Sequence, residues 1–476
     1  MERQARSALL GTLPPEPDVR ALRDEIQAAA SNRSRRVVVL DDDPTGVQTV
    51  HDVDVLTMWD TPALAAALER PEPLFYVLTN SRALSRTDAV RLAGDVARNL
   101  AEASARTGIA VDLVSRGDST LRGHYPWEIE PLYGLLGSDG PDGVIIVPAF
   151  PEGGRITVAG VHYVSIGDDF VPVAETDFAR DPSFGYANSY LPLWVEEKTG
   201  GRWKAADVLH VPLALLRGGD VAAVQAILLQ ASGARPIVSD CASDTDLIVL
   251  VTALLRAQAL GHRFICRTGA SFVKARVAMN DRPLLAQGEL LSDREPGPGL
   301  VLLGSYVQRS SEQLARVLSD PQLDMRELVV ETLLGDRREE HLIDVIAWVN
   351  DRLATGRSAM VYTSRSLVTR RGSQDHVAIS STVSRSMSAI VAKLDRRPAW
   401  LIAKGGITAS DIATRGLGVR RARVLGQVAT GVPAWRLGDE SRFPGMPYIV
   451  FPGNVGGPDA LAELIALLQG PEQIAQ

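Results

Sequence analysis

The chain has 476 residues, too many for one ordinary core, so we expect two domains. Hydrophobic residues make up 45% and charged residues 22%, which is typical of a soluble globular protein. Its formal net charge of −7 provides no basic surface, so we expect no nucleic-acid partner. The two cysteines, Cys241 and Cys266, exclude a disulfide scaffold and a multi-cysteine zinc site and fit a reducing compartment.

The N-terminal sequence lacks the apolar core of a signal peptide, and no run of about 18 apolar residues occurs to cross a membrane. We therefore expect a cytoplasmic protein without a membrane partner. Residues 1–33 are interpreted as an N-terminal extension, in which Asp18 to Ala30 predict a short amphipathic helix.

Three consecutive aspartates follow the first predicted strand. The strand, Val37 to Leu40, is mostly β-branched, and Asp41, Asp42 and Asp43 come directly after it, before a Pro-Thr-Gly turn. Ligands of open α/β sheets bind beyond the carboxyl ends of the strands, so this position predicts a ligand site. Grouped carboxylates cost free energy unless a cation, a positive ligand group or shared protons offset it. A helix N-cap would account for only one of the three.

The first domain is predicted to span 34–292 and to alternate strands with helices, which indicates a mostly parallel sheet covered by helices. Residues 168–203 interrupt this pattern and are interpreted as a long connection. Two loops that follow strands carry arginines beside hydroxyl and carboxylate side chains. Because the planar guanidinium group of arginine binds a carboxylate through two hydrogen bonds, this combination suits a small, polyhydroxylated anion. The alternative is that each arginine forms only a surface ion pair. The residues concerned are Arg82, Asp118, Ser119 and Arg122.

The second domain, predicted over 299–476, carries three glycine-rich loops after strands. Glycine lets backbone N–H groups approach phosphate oxygens, so three such loops in one domain predict phosphate binding. Neither a GxxxxGK[ST] motif nor a GxGxxG motif after a strand occurs, which disfavours Walker-type and dinucleotide sites. The loops are Gly304-Ser305, Lys404 to Ser410, and Pro452 to Gly457.

Taken together, these motifs resemble the four-carbon acid sugar kinase family from Arg36 to Leu468. Departures from the family pattern include Pro44 in the aspartate turn and Ile407 in a glycine loop. The matching positions are Asp42, Asp43, Thr45 and Gly46; Thr79 to Arg82; Asp118 to Gly123, without change; Pro148 to Val164; Gly304-Ser305; Gly405, Gly406 and Thr408; and Gly453-Asn454 with Gly456.

The resemblance implies two α/β domains, each with a mostly parallel sheet covered by helices, and an active site in the cleft between them. It also implies an ATP- and Mg²⁺-dependent kinase that phosphorylates a hydroxyl of a small sugar acid, such as a tetronate or 3-oxo-tetronate. The sequence identifies no metal ligands and is compatible with a homo-oligomer. The implied site residues are Asp42 and Asp43 for catalysis; Arg82, Asp118, Ser119 and Arg122 for the acid; and Ser305, Gly405, Gly406, Thr408, Gly453, Asn454 and Gly456 for the nucleotide.

Two other functions each fit part of the sequence. Asp41 to Thr45 match the D-x-D-x-T motif of haloacid-dehalogenase-type phosphatases, with Asp41 as nucleophile and Gly167 to Asp169 as an acidic metal loop. That chemistry needs a lysine between these segments, and the sequence has none. The second alternative is a non-catalytic protein that binds a sugar acid without turnover.

Overall fold

The computed structural model describes residues 3–292, 297–305, 307–364 and 373–470, the side chains of 373–378 excepted. Its strands are β1 (Gln4–Ala5), β2 (Arg35–Asp41), β3 (Val53–Leu56), β4 (Leu74–Leu78), β5 (Ala110–Arg116), β6 (Gly143–Val147), β7 (Arg155–Val158), β8 (Val161–Ile166), β9 (Asp169–Pro172), β10 (Leu209–Val211), β11 (Arg235–Ser239), β12 (Phe264–Thr268), β13 (Leu300–Leu303), β14 (Leu323–Leu328), β15 (Ser358–Thr363), β16 (Leu401–Lys404), β17 (Arg421–Ala429), β18 (Val432–Leu437) and β19 (Pro447–Phe451).

The α-helices of the described residues alternate with these strands through most of the chain. They are α1 (Arg6–Gly11), α2 (Arg20–Ala30), α3 (Thr61–Leu68), α4 (Arg86–Thr107), α5 (Leu191–Lys198), α6 (Leu213–Arg217), α7 (Val221–Leu228), α8 (Asp244–Ala259), α9 (Ala270–Arg276), α10 (Gln287–Leu291), α11 (Gln308–Val317), α12 (Val330–Leu333), α13 (Arg338–Ala354), α14 (Ser373–Ala392), α15 (Gly406–Asp411) and α16 (Ala460–Gln469). None of these described helices is both long and apolar enough to span a bilayer.

The chain folds into two compact units, and a short segment that interrupts the first unit in sequence belongs to the second. The first unit comprises 1–49 and 58–281, and the second comprises 50–57 and 282–476. Residues 282–292, predicted to end the first domain, pack in the second unit instead. Their leucines Leu285, Leu290 and Leu291 join its apolar core, which explains the difference.

The main sheet of the first unit is parallel throughout, in the order β10–β11–β6–β12–β5–β2–β4. Its central strands are buried on both faces, which accounts for their continuous apolar sequence. Helix α4 has the expected signals at both ends: the Ser85 side chain accepts a hydrogen bond from the Asp88 N–H, and Gly108 ends the helix at a φ of 71°.

The N-terminal segment and the predicted connection both pack on the first unit. Helix α2 contacts α8 through its buried Ile26, so the predicted amphipathic helix is confirmed. The connection contributes to a separate antiparallel sheet in the order β1–β9–β8–β7. This sheet was not predicted: β7, β8 and β9 are consecutive strands in a segment interpreted as loop and connection, and only β1 pairs with a distant part of the chain.

The second unit has a mixed sheet in the order β3–β17–β18–β19–β16–β13–β15–β14. The pairings from β19 to β14 are parallel, as the alternating pattern predicted. Strands β3, β17 and β18 pair antiparallel, and β18 joins β19 antiparallel as well. Because β3 comes from residues 53–56, this edge of the sheet is built from distant parts of the sequence.

Candidate functional site

In the first unit the predicted acidic cluster lies at the point where the strand order reverses. Strand β2 lies between β4 and β5. The chain leaves β2 on the side of β4 and leaves β5 towards β6 on the opposite side, so the two connections diverge. Such a reversal opens a crevice at the carboxyl ends of the strands. Asp41 is the last residue of β2 and Arg116 the last of β5, and the two are paired in register across the strands.

Arginines neutralise the three aspartates at this position. Arg82 contacts Asp42 at 3.2 Å and Asp43 at 3.0 Å, and it approaches Asp118 at 3.6 Å. Arg116 lies 3.2 Å from Asp41 and 3.6 Å from Asp42. The cost of grouping carboxylates, noted from the sequence, is therefore offset by guanidinium groups of the protein itself.

The three neighbouring aspartates differ in their tendency to bind a proton. Burial raises the pKa of Asp41 to about 7, since it outweighs the attraction of Arg116. Burial also raises the pKa of Asp42, against the opposing charges of Arg82 and Arg116. Asp43 is the exception, because the Arg82 charge and hydrogen bonds from Thr45 overcome its burial and lower its pKa. Asp43 is therefore the most strongly ionised of the three.

The second predicted loop lies beside the first and is internally cross-linked. Asp118 accepts hydrogen bonds from Thr120 and lies 2.6 Å from the Arg122 Nε. Burial raises the pKa of Asp118, but the Arg122 and Arg82 charges overcome this effect and hold that pKa well below its usual range. Arg122 approaches Asp181 at 3.6 Å. Arg122 and Asp118 thus form the outer part of the same charged cluster.

Two histidines hold these loops in place through backbone carbonyl groups. The His124 Nε2 lies 3.1 Å from the carbonyl oxygens of both Ser81 and Leu84, which flank Arg82. The His162 Nε2 lies 2.7 Å from the Ser119 carbonyl oxygen, and its Nδ1 lies 2.9 Å from the Thr157 hydroxyl. Burial lowers the pKa of His162 to about 4, so this ring is neutral at pH 7.

Three charged residues of the cluster were missed as site residues: Arg116, Glu128 and Arg267. The Arg267 Nε lies 3.1 Å from Glu128, and the Arg267 guanidinium occupies the space that a Cβ at Gly117 would need. A Cβ at Gly123 would also come within 3.0 Å of it. An arginine inside an apolar strand, as in FICRT, was the available signal, because a buried charge needs partners.

The phosphatase alternative finds little support in the geometry. Asp41 is only 1% exposed and is paired with Arg116, and a Cβ at Gly46 would overlap its carboxylate. Such a buried group is poorly placed to attack a substrate. The proposed acidic metal loop lies on the antiparallel sheet, where Asp169 is paired with Arg3 at 2.7 Å.

In the second unit the three glycine loops converge at the corresponding reversal of strand order. Strand β13 lies between β15 and β16, and Ser305 follows its carboxyl end. The Ser310 hydroxyl donates to the Gly453 carbonyl at 2.9 Å, and its oxygen lies 2.9 Å from the Ser305 hydroxyl, from which it can accept. A Cβ at Gly453 would lie 2.5 Å from the Ser305 Oγ, so any side chain there would displace the Ser305 hydroxyl.

The remaining predicted residues of this unit lie in the same loops. Gly405 has a φ of 121°, and a Cβ there would lie 3.4 Å from Ser305. Thr408 is nearly buried, and its hydroxyl fills the space beside Gly304. In the last loop, Gly456 has a φ of 84° and Asn454 is exposed. Gly406 is the first residue of helix α15. The N–H groups of Gly304 and Ser305 donate to the Lys404 carbonyl and that of Gly405 to the Phe451 carbonyl, so phosphate contacts would fall to other groups of these loops.

Two further residues of the second unit support these loops and were not assigned to the site, although Lys404 begins the predicted loop Lys404 to Ser410. Gln313, buried on α11, donates to the Val455 carbonyl at 3.1 Å and to the Gly457 carbonyl at 2.8 Å. Lys404 is fully buried at the end of β16 and donates to the Pro452 carbonyl at 3.0 Å. The sequence indicated both loops, but a glutamine on a neighbouring helix carries no local signal of such a contact.

The implied magnesium ion has no ready-made protein cage in the described part of the chain. No group of three or more Asp, Glu, His or Cys side chains there is arranged to hold a metal. The acidic cluster is occupied by arginines, which compete with a cation for the same oxygens. Magnesium in nucleotide sites is commonly held by the phosphates with only one or two carboxylates, so the metal ligands stay unassigned.

Comparisons with known proteins agree with this division into two sites. A family model described as a sugar-binding N-terminal domain matches residues 37–276, and one described as a nucleotide-binding C-terminal domain matches 300–461. The chain is 31% identical to a D-erythronate kinase of Heliobacterium modesticaldum over 221 residues, which cover 44% of this chain and 46% of that relative.

Two other matches extend over nearly the whole chain. A 3-oxo-tetronate kinase of Methylobacterium radiotolerans is 26% identical, across 89% of this chain and 94% of the relative. A crystal structure of a Haemophilus influenzae protein superposes with a TM-score of 0.61 at 18% identity, covering 90% of this chain and 99% of that one. The structural match shows the fold alone.

Proposed function

This chain belongs to the four-carbon acid sugar kinase family, and we propose that it transfers a phosphoryl group from ATP to a hydroxyl of a four-carbon sugar acid. The observation that carries the proposal is the charged cluster at the reversal of strand order in the first unit. It combines ionised carboxylates, for substrate hydroxyls, with arginines, for a substrate carboxylate. The names of the relatives as kinases of D-erythronate and 3-oxo-tetronate support this substrate class.

The glycine loops of the second unit support the assignment of the nucleotide site. Their close packing around Ser305 suits phosphate oxygens better than a bulky apolar ligand. Ser305, Gly405 and Gly453 are proposed to surround the phosphates. Magnesium, when bound with the nucleotide, would neutralise phosphate charge during transfer.

Asp43 is proposed as the base that accepts the proton of the attacking hydroxyl. Its lowered pKa keeps it ionised at neutral pH, and 19% of its side chain is exposed, compared with 4% for Asp42. Asp42 then acts as a positioning residue, because it lies between Arg82 and Arg116. Arg122, the most exposed arginine of the cluster at 26%, is proposed to meet the carboxylate of the acid.

A substrate panel tests the proposed reaction. The purified protein is incubated with ATP, magnesium chloride and erythronate, threonate or 3-oxo-tetronate, and ADP formation is measured together with the mass of the product. We expect turnover with at least one of these acids and a product heavier by one phosphoryl group. Erythritol, which has the same carbon chain but no carboxylate, is the matched control and should not be phosphorylated. If no ADP forms with any of the three acids, the proposal is contradicted.

A further inference from the structure

Lys404 is a buried cation that the proposed chemistry does not yet use. It ends strand β16, directly before Gly405, and its Nζ donates to the carbonyl of Pro452, directly before Gly453. The ammonium group therefore lies between two of the three glycine loops. It also lies 3.7 Å from the centre of the Phe451 ring. Lysine is rarely buried completely unless its charge has a partner.

The protein surroundings of Lys404 provide little compensation for its charge. Within the described ranges its Nζ is in no salt bridge and is held by one carbonyl oxygen and one aromatic face. Arg309 on α11 adds a like charge. Asp411, on the helix that follows Lys404, is paired with Arg415 at 3.2 Å. Tyr448 on neighbouring β19 is neutral, because burial raises its pKa well above its usual value.

We propose that Lys404 is the counter-charge for the nucleotide phosphates and that nucleotide binding is coupled to uptake of a proton at this side chain. A di- or triphosphate on the glycine loops supplies the negative charge that the protein lacks there. The inference rests on the proposed function, because it requires the nucleotide at these loops.

The direction of the proton movement follows from the groups that surround Lys404. Burial, with a smaller contribution from Arg309, lowers the pKa of Lys404 to about 7. Nearby phosphates favour the charged form and raise that pKa again. At pH 8 the free protein holds this proton in only about a tenth of its molecules, so saturation with nucleotide should take up close to one proton. At pH 6 the lysine is already charged, and the uptake should disappear.

Titration calorimetry of the full-length protein with ADP tests the inference. With magnesium chloride present throughout, the titration is run at pH 8 in Tris and in HEPES, whose protonation enthalpies differ, so that the difference in heat counts the protons. We expect uptake of about 0.9 proton in the wild type, and of less than about 0.2 in Lys404→Met and Lys404→Arg. Lys393→Met, an exposed lysine of the same unit, is the matched control and should keep the wild-type uptake.

A second measurement keeps the test valid if the Lys404 variants fold poorly. In the wild type, affinity for ADP should fall by up to about tenfold per pH unit above pH 7, because binding then requires a proton. If Lys404 had a purely structural role, the affinity for ADP would be independent of pH above pH 7. Wild-type binding of ADP at pH 8 without proton uptake would overturn the inference and leave the kinase proposal intact. Failure of the wild type to bind ADP would overturn both.

Discussion

Asp42 and Asp43 are adjacent in the chain but lie in opposite electrostatic environments. Burial raises the pKa of Asp42, whereas Arg82 and the Thr45 hydrogen bonds outweigh burial and lower that of Asp43. The Asp43 Oδ1 accepts from the Thr45 N–H at 2.8 Å and from its hydroxyl at 2.5 Å. These contacts fix the carboxylate at the end of the strand without burying it completely. Neutralising each of the two residues should therefore have different effects on activity and stability.

Asp43→Asn should lower kcat about 10²- to 10⁴-fold, the usual contribution of a general base, while the KM for ATP changes little. It should also lower the melting temperature, because the pKa of Asp43 is lowered in the folded protein and its ionised form therefore stabilises the fold. Asp42→Asn should lower the melting temperature less, because burial raises the pKa of Asp42 and so disfavours its ionised form in the folded protein. Steady-state kinetics and thermal unfolding of both variants make the comparison. Full activity of Asp43→Asn, with the whole loss in Asp42→Asn, would transfer the role of base to Asp42.

At the scale of elements, both site regions consist of loops that follow parallel strands, and the packing of the loops explains their composition. Gly453 and Gly457 belong to the same loop but differ in their surroundings. A Cβ at Gly453 would meet the Ser305 hydroxyl at 2.5 Å, whereas a Cβ at Gly457 would meet nothing within 4 Å. The first glycine is required by contact with another loop, and the second is not.

Gly453→Val should weaken nucleotide binding at least tenfold, because the added methyl groups separate this loop from Ser305. Gly457→Val is the matched control and should bind nucleotide nearly as the wild type does. Calorimetric titration with ADP measures both variants, and turnover at saturating acid shows whether the effect is confined to the nucleotide. Equal affinity of the two variants would indicate that the Pro452 to Gly457 loop is not part of the nucleotide site.

At the scale of the whole molecule, neither unit is a continuous stretch of sequence. Strand β3 leaves the first unit to pair with β17, in register from Leu56 with Arg421 to Val53 with Val424. Val53 and Val55 are almost fully buried there. The second unit therefore depends on eight residues that precede most of the first unit, and this dependence can be tested in the intact chain.

Val55→Asp should loosen the second unit, because it places a charge against Ala422 in a buried strand pair. Hydrogen exchange measured by mass spectrometry should accelerate in the peptide that contains Arg421–Ala429. Met58→Asp, an exposed position just beyond the segment, is the control and should leave that peptide protected. Unchanged exchange in β17 of the Val55→Asp variant would show that β3 does not stabilise this sheet.

The sequence by itself determined the parallel α/β class and the strand ends that carry the site. Buried parallel strands need apolar runs such as Val37 to Leu40, and polar residues at their ends are visible in the sequence alone. The tertiary structure decided which charges meet: Arg116 pairs with Asp41, Arg267 pairs with Glu128, and β3 joins β17, through contacts between residues far apart in the chain. Local patterns record whether a residue is buried but not which distant partner compensates its charge, so these pairings depend on the folded chain.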